Sequence, residues 1–301
     1  MFVVRYKKIF FIISGLFVTL ALVSMLMFGL HFSIDFTGGA LMEVHYSNNR
    51  PAQDLLETHL RELAIGNFSL RSAGSDRYIL RTRDLSEEER LALVSTLSNH
   101  GDEDLVVSRF TSIGPVIGEE LRSKAIIALS IVILAIVLFI AYVFRHVSKP
   151  VASWKYGIIA IVALIHDITI PLGVFALLGY LVGAEIDVLF IVGLLAILGY
   201  SVNDTIVVFD RVRENLKENQ ELNRKEEFEL TVGKSLNQTF TRSINTSLTT
   251  VLALFALFFF GGSATENFAL VLIVGIVAGT YSSICLASPF LIVTERWQAK
   301  K

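Results

Sequence analysis

One cysteine, Cys285, occurs in 301 residues, so no disulfide can form within the chain and a cysteine metal site is excluded. No cluster of His, Cys and carboxylate suited to a metal stands in for it. A glycine-rich phosphate loop followed by Lys and Ser or Thr is also missing, so ATP is not expected as a fuel. A basic nucleic-acid face is absent: 26 Lys and Arg stand against 28 Asp and Glu, a net charge of -2. There is no solenoid repeat and no low-complexity segment. The first apolar block, Ile9–Leu30, follows Arg5, Lys7 and Lys8 but is too long for a signal core and lacks a small-residue cleavage site, which predicts an uncleaved anchor.

What is present is apolar sequence in long blocks. Hydrophobic residues make up 53% of the chain, and the mean hydropathy is +0.61, as expected of a membrane protein. Six blocks are long enough to span: Ile9–Leu30, Ala125–Phe144, Trp154–Tyr180, Val188–Phe209, Arg242–Gly261 and Asn267–Val293. Bases crowd the N-terminus, the Arg145–Lys155 connection, the charged Asp210–Thr241 loop and the tail with Arg296, Lys300 and Lys301; the turns Leu181–Asp187 and Gly262–Glu266 carry acids. The positive-inside rule then places both termini in the cytoplasm. The expected organisation is residues 1–30 as N-terminus and first span, 31–124 as an extracytoplasmic domain, 125–294 as five further spans, and 295–301 as a basic cytoplasmic tail.

The polar segment His31–Lys124 alternates its periods. Ala40–Tyr46 reads as a strand, and Pro51–Ala64 as a helix with Leu55, Leu56, Leu60 and Leu63 at helical spacing. Phe68–Ser72 and Tyr78–Arg83 read as strands joined by a Gly74–Asp76 turn. Ser86 and Glu89 form a capping box for a helix, and Asp104–Thr111 is a last strand. The order βαββαβ is a ferredoxin-like plan. No nucleophile–base arrangement is present, which favours a binding or docking domain over an enzyme. The fold class expected is therefore a polytopic helical membrane protein with one small α+β ferredoxin-like domain between its first two spans. Gly114, Pro115 and Gly118 link this domain back to the membrane and suggest a hinge; an ordinary connector is the plain alternative.

Ionisable residues inside spans are costly, about 2.5–3.5 kcal/mol for a carboxylate on insertion scales, and tend to mark ion paths, proton relays or buried partners. Asp204 lies in the fourth span among Tyr200, Ser201, Asn203 and Thr205. With the boundary at Asp210–Arg211 it sits about 10 Å inside the membrane. Asp167 lies near the centre of the third span, after His166 and before Thr169 and Pro171. Arg242 opens the fifth span, with Asn245, Thr246 and Thr249 on one helical face, a polar stripe suited to meeting Asp204. An Asp204–Arg242 pair would set burial against a neighbouring cation, the opposition that makes a carboxylate proton-responsive. The plain alternatives are a structural hydrogen bond for either Asp and a snorkelling Arg242. Gly275-x-x-x-Gly279, Gly193 and Gly199 suggest close helix packing, and Phe255, Phe258, Phe259 and Phe260 lipid-facing bulk.

Several of these residues resemble the bacterial SecF family, the membrane partner of SecD in the resistance–nodulation–division superfamily: Asp35-Phe36-x-Gly38-Gly39, His166-Asp167, the run from Gly199 through Asn203-Asp204 to Asp210-Arg211, and Thr241-Arg242-x-Ile244. The resemblance runs over the whole chain. It implies that Asp204 and Arg242 belong to a proton pathway, that protons are the coupling ion with no other cofactor, and that the partners are SecD, the SecYEG channel, a translocating preprotein, and YajC and YidC. It implies proton-driven work on the outer face of that channel, in the bacterial inner membrane. A drug or lipid efflux pump of the same superfamily is the rival, yet the turns at Leu181–Asp187 and Gly262–Glu266 are too short for a second large domain. A passive scaffold of the channel is the third reading.

Overall fold

The computed structural model describes residues 2–47, 50–63, 65–99, 104–145 and 151–299. The core of the Arg145–Lys155 connection and the last two lysines lie outside these. The chain divides into two compact units, Phe32–Ile126 on one hand and Met1–His31 with Ile127–Lys301 on the other.

In the first unit a short helix α3 (Ile34–Thr37) leads into strand β1 (Gly39–Tyr46), helix α4 (Gln53–Glu62), β2 (Ser69–Ala73), β3 (Arg77–Thr82), α5 (Glu87–Leu97) and β4 (Leu105–Ile113). The sheet order is β2-β3-β1-β4 with every pair antiparallel, which is the ferredoxin-like arrangement. Alternation decides the faces: Met42, Val44 and Tyr46 of β1 and Tyr78 and Leu80 of β3 meet Leu56 and Leu60 of α4 and Leu93 and Leu97 of α5. The β1–β4 register shifts between Glu43 and Val44. The capping box is formed as the sequence predicts, with Ser86 Oγ accepting from Glu89 N at 3.2 Å and Ser86 N donating to Glu89 Oε2 at 2.8 Å.

The second unit is helical. A one-turn α1 (Phe2–Arg5) precedes α2 (Lys7–Phe28). After the domain come α6 (Pro115–Val143), α7 (Ser153–Val182), α8 (Val188–Glu221), α9 (Phe228–Phe260), α10 (Ser263–Ser282), a π-helical segment Ser283–Ala287, and α11 (Ser288–Ala299). Among the described residues, six helical stretches are long and apolar enough to cross a membrane. In their most apolar stretches, α7, α8 and α10–α11 are half or more buried, whereas those of α2, α6 and α9 are mostly unburied.

Two sequence expectations change here. The Asp210–Thr241 segment is not a long loop: α8 runs on to Glu221 and α9 starts at Phe228. Buried polar pairs hold this extension. Asn215 Nδ2 donates to Ser235 Oγ and to Gln238 Oε1, both at 2.8 Å, and Asn219 Nδ2 donates to Glu226 Oε2 at 2.8 Å. Val208, Val212, Val232 and Leu236 pack beneath them. The hinge expectation also changes. Pro115 opens α6 and Gly118 lies within its first turn, where a Cβ would come 2.8 Å from Gly38 N. Residues 114–118 are thus a packed joint within the first unit, and Gly114 alone has open space around it.

Candidate functional site

Helix α7 carries Asp167 fully buried. Pro171, four residues later, has no N–H to donate to the Asp167 carbonyl, so the helix is locally loosened at the carboxylate. Three side chains surround that carboxylate. His166 Nδ1 lies 2.9 Å from Asp167 Oδ1; Ser282 Oγ donates to Oδ2 at 2.8 Å, and Ser201 Oγ of α8 donates to the same oxygen. The His166 ring stacks on Tyr281, with centroids 6.1 Å apart.

The π-helical segment explains how the last span reaches this cluster. Its extra residue per turn is a feature often found at functional positions. Ser282 turns to Asp167, while the adjacent Ser283 meets Thr205 Oγ1 at 2.8 Å. Close approach of α10 to α8 depends on glycine: a Cβ on Gly275 would lie 2.1 Å from Ile197 Cδ1, and one on Gly279 would lie 3.0 Å from Ser201 Cβ. Gly193 meets Val271 in the same way, at 2.6 Å. Gly199 has nothing within 4 Å, so the expectation of close packing fails there.

Asp204 sits one turn beyond Ser201 on α8, buried at 9% exposure. Its Oδ1 accepts from Ser243 Oγ of α9 at 2.5 Å. Its Oδ2, like His166 Nε2, is buried with no hydrogen-bond partner among the described residues. Tyr200, on the same face, donates to Ser247 Oγ at 3.3 Å, and Ser247 meets Thr280 Oγ1 at 2.5 Å. The two carboxylates are therefore bonded by three hydroxyls, one each from α8, α9 and α10.

The predicted meeting of Asp204 with the Arg242 stripe is not what the structure contains. Arg242, Asn245, Thr246 and Thr249 are exposed, and among the described residues Arg242 makes no ion pair with Asp204; it acts on the carboxylate only through space. The reason is angular. Neighbouring helical residues point about 100° apart, and α9 turns Ser243, Ser247, Val251 and Leu254 inward. Asn203 is exposed as well, while Ser201 and Thr205 are buried. Thr246 Oγ1 bonds the Arg242 carbonyl at 2.9 Å. Ser243 escaped the sequence reading, although a signal was available: Thr231, Ser235, Thr239, Ser243 and Ser247 recur every four residues, and all are buried. The serines of the last span, Ser282, Ser283 and Ser288, form a second such signal.

The Asp35-Phe36-x-Gly38-Gly39 motif folds as a capped turn. Ser33 Oγ accepts from Asp35 N at 3.2 Å, and Phe36 is buried. Gly38 and Gly39 have φ of +71° and +127°, and a Cβ on Gly39 would lie 2.6 Å from the Thr82 carbonyl oxygen. Glycine is needed at both for conformation and for space. Among the described residues no group of three or more His, Cys, Asp and Glu is placed to hold a metal.

Fold and site together define a six-span helical membrane protein with one ferredoxin-like domain and two hydroxyl-bound carboxylates in its helix core. Comparison with known proteins narrows the class. Residues 93–297 match the family described as protein export membrane protein SecD/SecF, C-terminal, and residues 23–49 match the SecD/SecF GG motif. Protein translocase subunit SecF of Thermobaculum terrenum is 39% identical, over 97% of this chain and 93% of its own. That of Anaerolinea thermophila is 38% identical, over 96% and 92%. The crystal structure of SecDF from Thermus thermophilus, described as a translocon-associated membrane protein, superposes with a TM-score of 0.82 at 34% identity, covering 98% of this chain and 38% of that one. The chain thus spans about two fifths of the length of that solved protein. It belongs to the SecD/SecF family of protein export membrane proteins.

Proposed function

We propose that the chain works as the SecF-type half of a proton-driven unit in bacterial protein export, paired with SecD and acting with SecYEG on the outer face of the membrane. The observation that carries this reading is Asp204: a buried carboxylate within a span, with one oxygen held by Ser243 and the other unpaired. A buried carboxylate with only one oxygen satisfied is suited to gaining and losing a proton. Asp167 and His166 form a second buried polar pair, joined to α8 through Ser201 one turn from Asp204. In this reading both termini are cytoplasmic and the ferredoxin-like domain is outside, where it holds or moves the emerging polypeptide. The exposed polar stripe of Arg242, Asn245, Thr246 and Thr249 is costly against lipid, and we assign it to the SecD half, through which Arg242 would act on the proton path.

Moving one charge through 100 mV yields about 2.3 kcal/mol, so export would need repeated cycles of modest motion. The test is preprotein release from vesicles under an imposed proton gradient, with Asp204→Asn at matched protein levels. The gradient should accelerate release in the wild type and have no effect in the variant. Equal acceleration in both would make the carboxylate structural and favour the scaffold reading.

A further inference from the structure

We propose that an anionic phospholipid docks in the crevice between α2, α9 and α10, with one acyl chain against the helices and its headgroup at the N-terminal end. The crevice has a volume of about 490 Å³ and lies wholly within the helical unit. Its walls include Phe10, Phe240, Ile244, Leu248, Val251 and Val277.

The lining decides the ligand class. The hydroxyls that reach the crevice are already committed: Ser247 to Tyr200 and Thr280, and Tyr281 OH to the Phe10 carbonyl at 2.9 Å. Apart from the Cys285 thiol, a weak donor, what remains is hydrocarbon surface, which suits an alkyl chain and offers a polar ligand little to bond. Length supports the same occupant. From Phe240 to Val251 the wall runs about 16 Å at 1.5 Å per residue, close to half of a hydrocarbon core of about 30 Å. One leaflet's chain fits that span.

Charge selects the headgroup. Phe2 and Val3 close the crevice at its N-terminal end, on the helical turn that also carries Arg5. Arg5 on that turn and Lys8 at the start of α2 are exposed, and among the described residues neither makes an ion pair, whereas Lys7 is held by Glu229 at 2.6 Å. Juxtamembrane bases of this kind attract anionic lipids. A protein partner is the other candidate cover, but α9 presents its exposed polar stripe on the opposite side from Ile244, Leu248 and Val251. The occupied crevice would border Ser247, and through Tyr200 the helix face that carries Asp204.

The experiment uses the full chain in vesicles, with Trp154 and Trp297 changed to Phe and a single reporter introduced by Leu248→Trp, a position 53% exposed at the crevice. Quenching is measured with dibrominated phosphatidylglycerol and with dibrominated phosphatidylcholine, each at a low mole fraction. A reporter at Ile131→Trp on α6, 60% exposed, gives the response to bulk lipid. The expected result is several-fold stronger quenching at 248 by the anionic lipid than by the zwitterionic one, with no such preference at 131. Arg5→Gln with Lys8→Gln should bring the two lipids level at 248. Equal quenching by both lipids at 248 in the unaltered N-terminus would overturn the proposal. So would an unquenched reporter, which would mean that protein covers the crevice.

Discussion

Asp167 shows how much one residue depends on side chains brought from elsewhere in the chain. Its Oδ2 receives hydroxyls from two helices, Ser201 and Ser282. An intramolecular hydrogen bond contributes about 0.5–1.5 kcal/mol net. Ser201→Ala and Ser282→Ala should therefore each lower the thermal midpoint of the detergent-solubilised protein, and the double variant should lose less than the sum because both bond one oxygen. Unchanged midpoints in both singles would show that this carboxylate does not need its hydroxyl shell.

At the scale of elements, α8 and α10 meet through glycine. Gly275→Leu would drive a side chain into Ile197, where even a Cβ comes to 2.1 Å, and should abolish the folded bundle, read as loss of the monodisperse peak on size exclusion. Gly199→Ala should be neutral or stabilising by up to about 1 kcal/mol, since its surroundings are open and alanine favours the helix. In the ferredoxin-like domain, the start of α5 rests on Glu89. The Arg83 guanidinium and the Ser86 N–H hold its carboxyl down at about 2, below the ordinary 4.5. A depressed acid stabilises the fold above its unfolded value and loses that contribution as pH falls through the folded one. Glu89→Gln should therefore lower the melting temperature of the domain at pH 7, and the gap from wild type should close as pH falls from about 4.5 towards 2. A gap that persists at pH 2.5 would assign the effect to packing.

At the scale of the whole molecule, the Phe32–Ile126 unit has its own sheet, two covering helices and a closed core of buried side chains. Excised as residues 32–124, it should be soluble and unfold cooperatively in urea, with a slope of about 1–1.5 kcal/mol/M for its size. A broad or absent transition would mean that the domain owes its order to the membrane unit. The helical unit leaves a polar face uncovered among the described residues. Its α9 exposes Arg242 and a row of amides and hydroxyls in the apolar half of the molecule. On the proposed pairing of that face with a SecD half, the gradient dependence of Asp204→Asn should be measured with that half present.

Local physics was legible from residues alone. Apolar blocks of twenty or so residues give spans, because only a helix satisfies its backbone in lipid. The alternation in Ala40–Tyr46, the capping box at Ser86 and the paired glycines at 38 and 39 each specify their own geometry through sterics or a nearby hydrogen bond. The cost of a buried charge pointed to Asp167 and Asp204 before any contact was known. Partners at long range were not legible, since they depend on which way each helix rotates. A shift of one residue turns a side chain by about 100°, so α9 offers Ser243 to Asp204 and turns Arg242 away. The extension of α8 and α9 through charged sequence follows the same rule. Charge and hydropathy mark where lipid ends, but whether a helix ends there depends on Asn215, Asn219, Thr231 and Ser235 finding one another across the pair. Only packing of the whole bundle decides that.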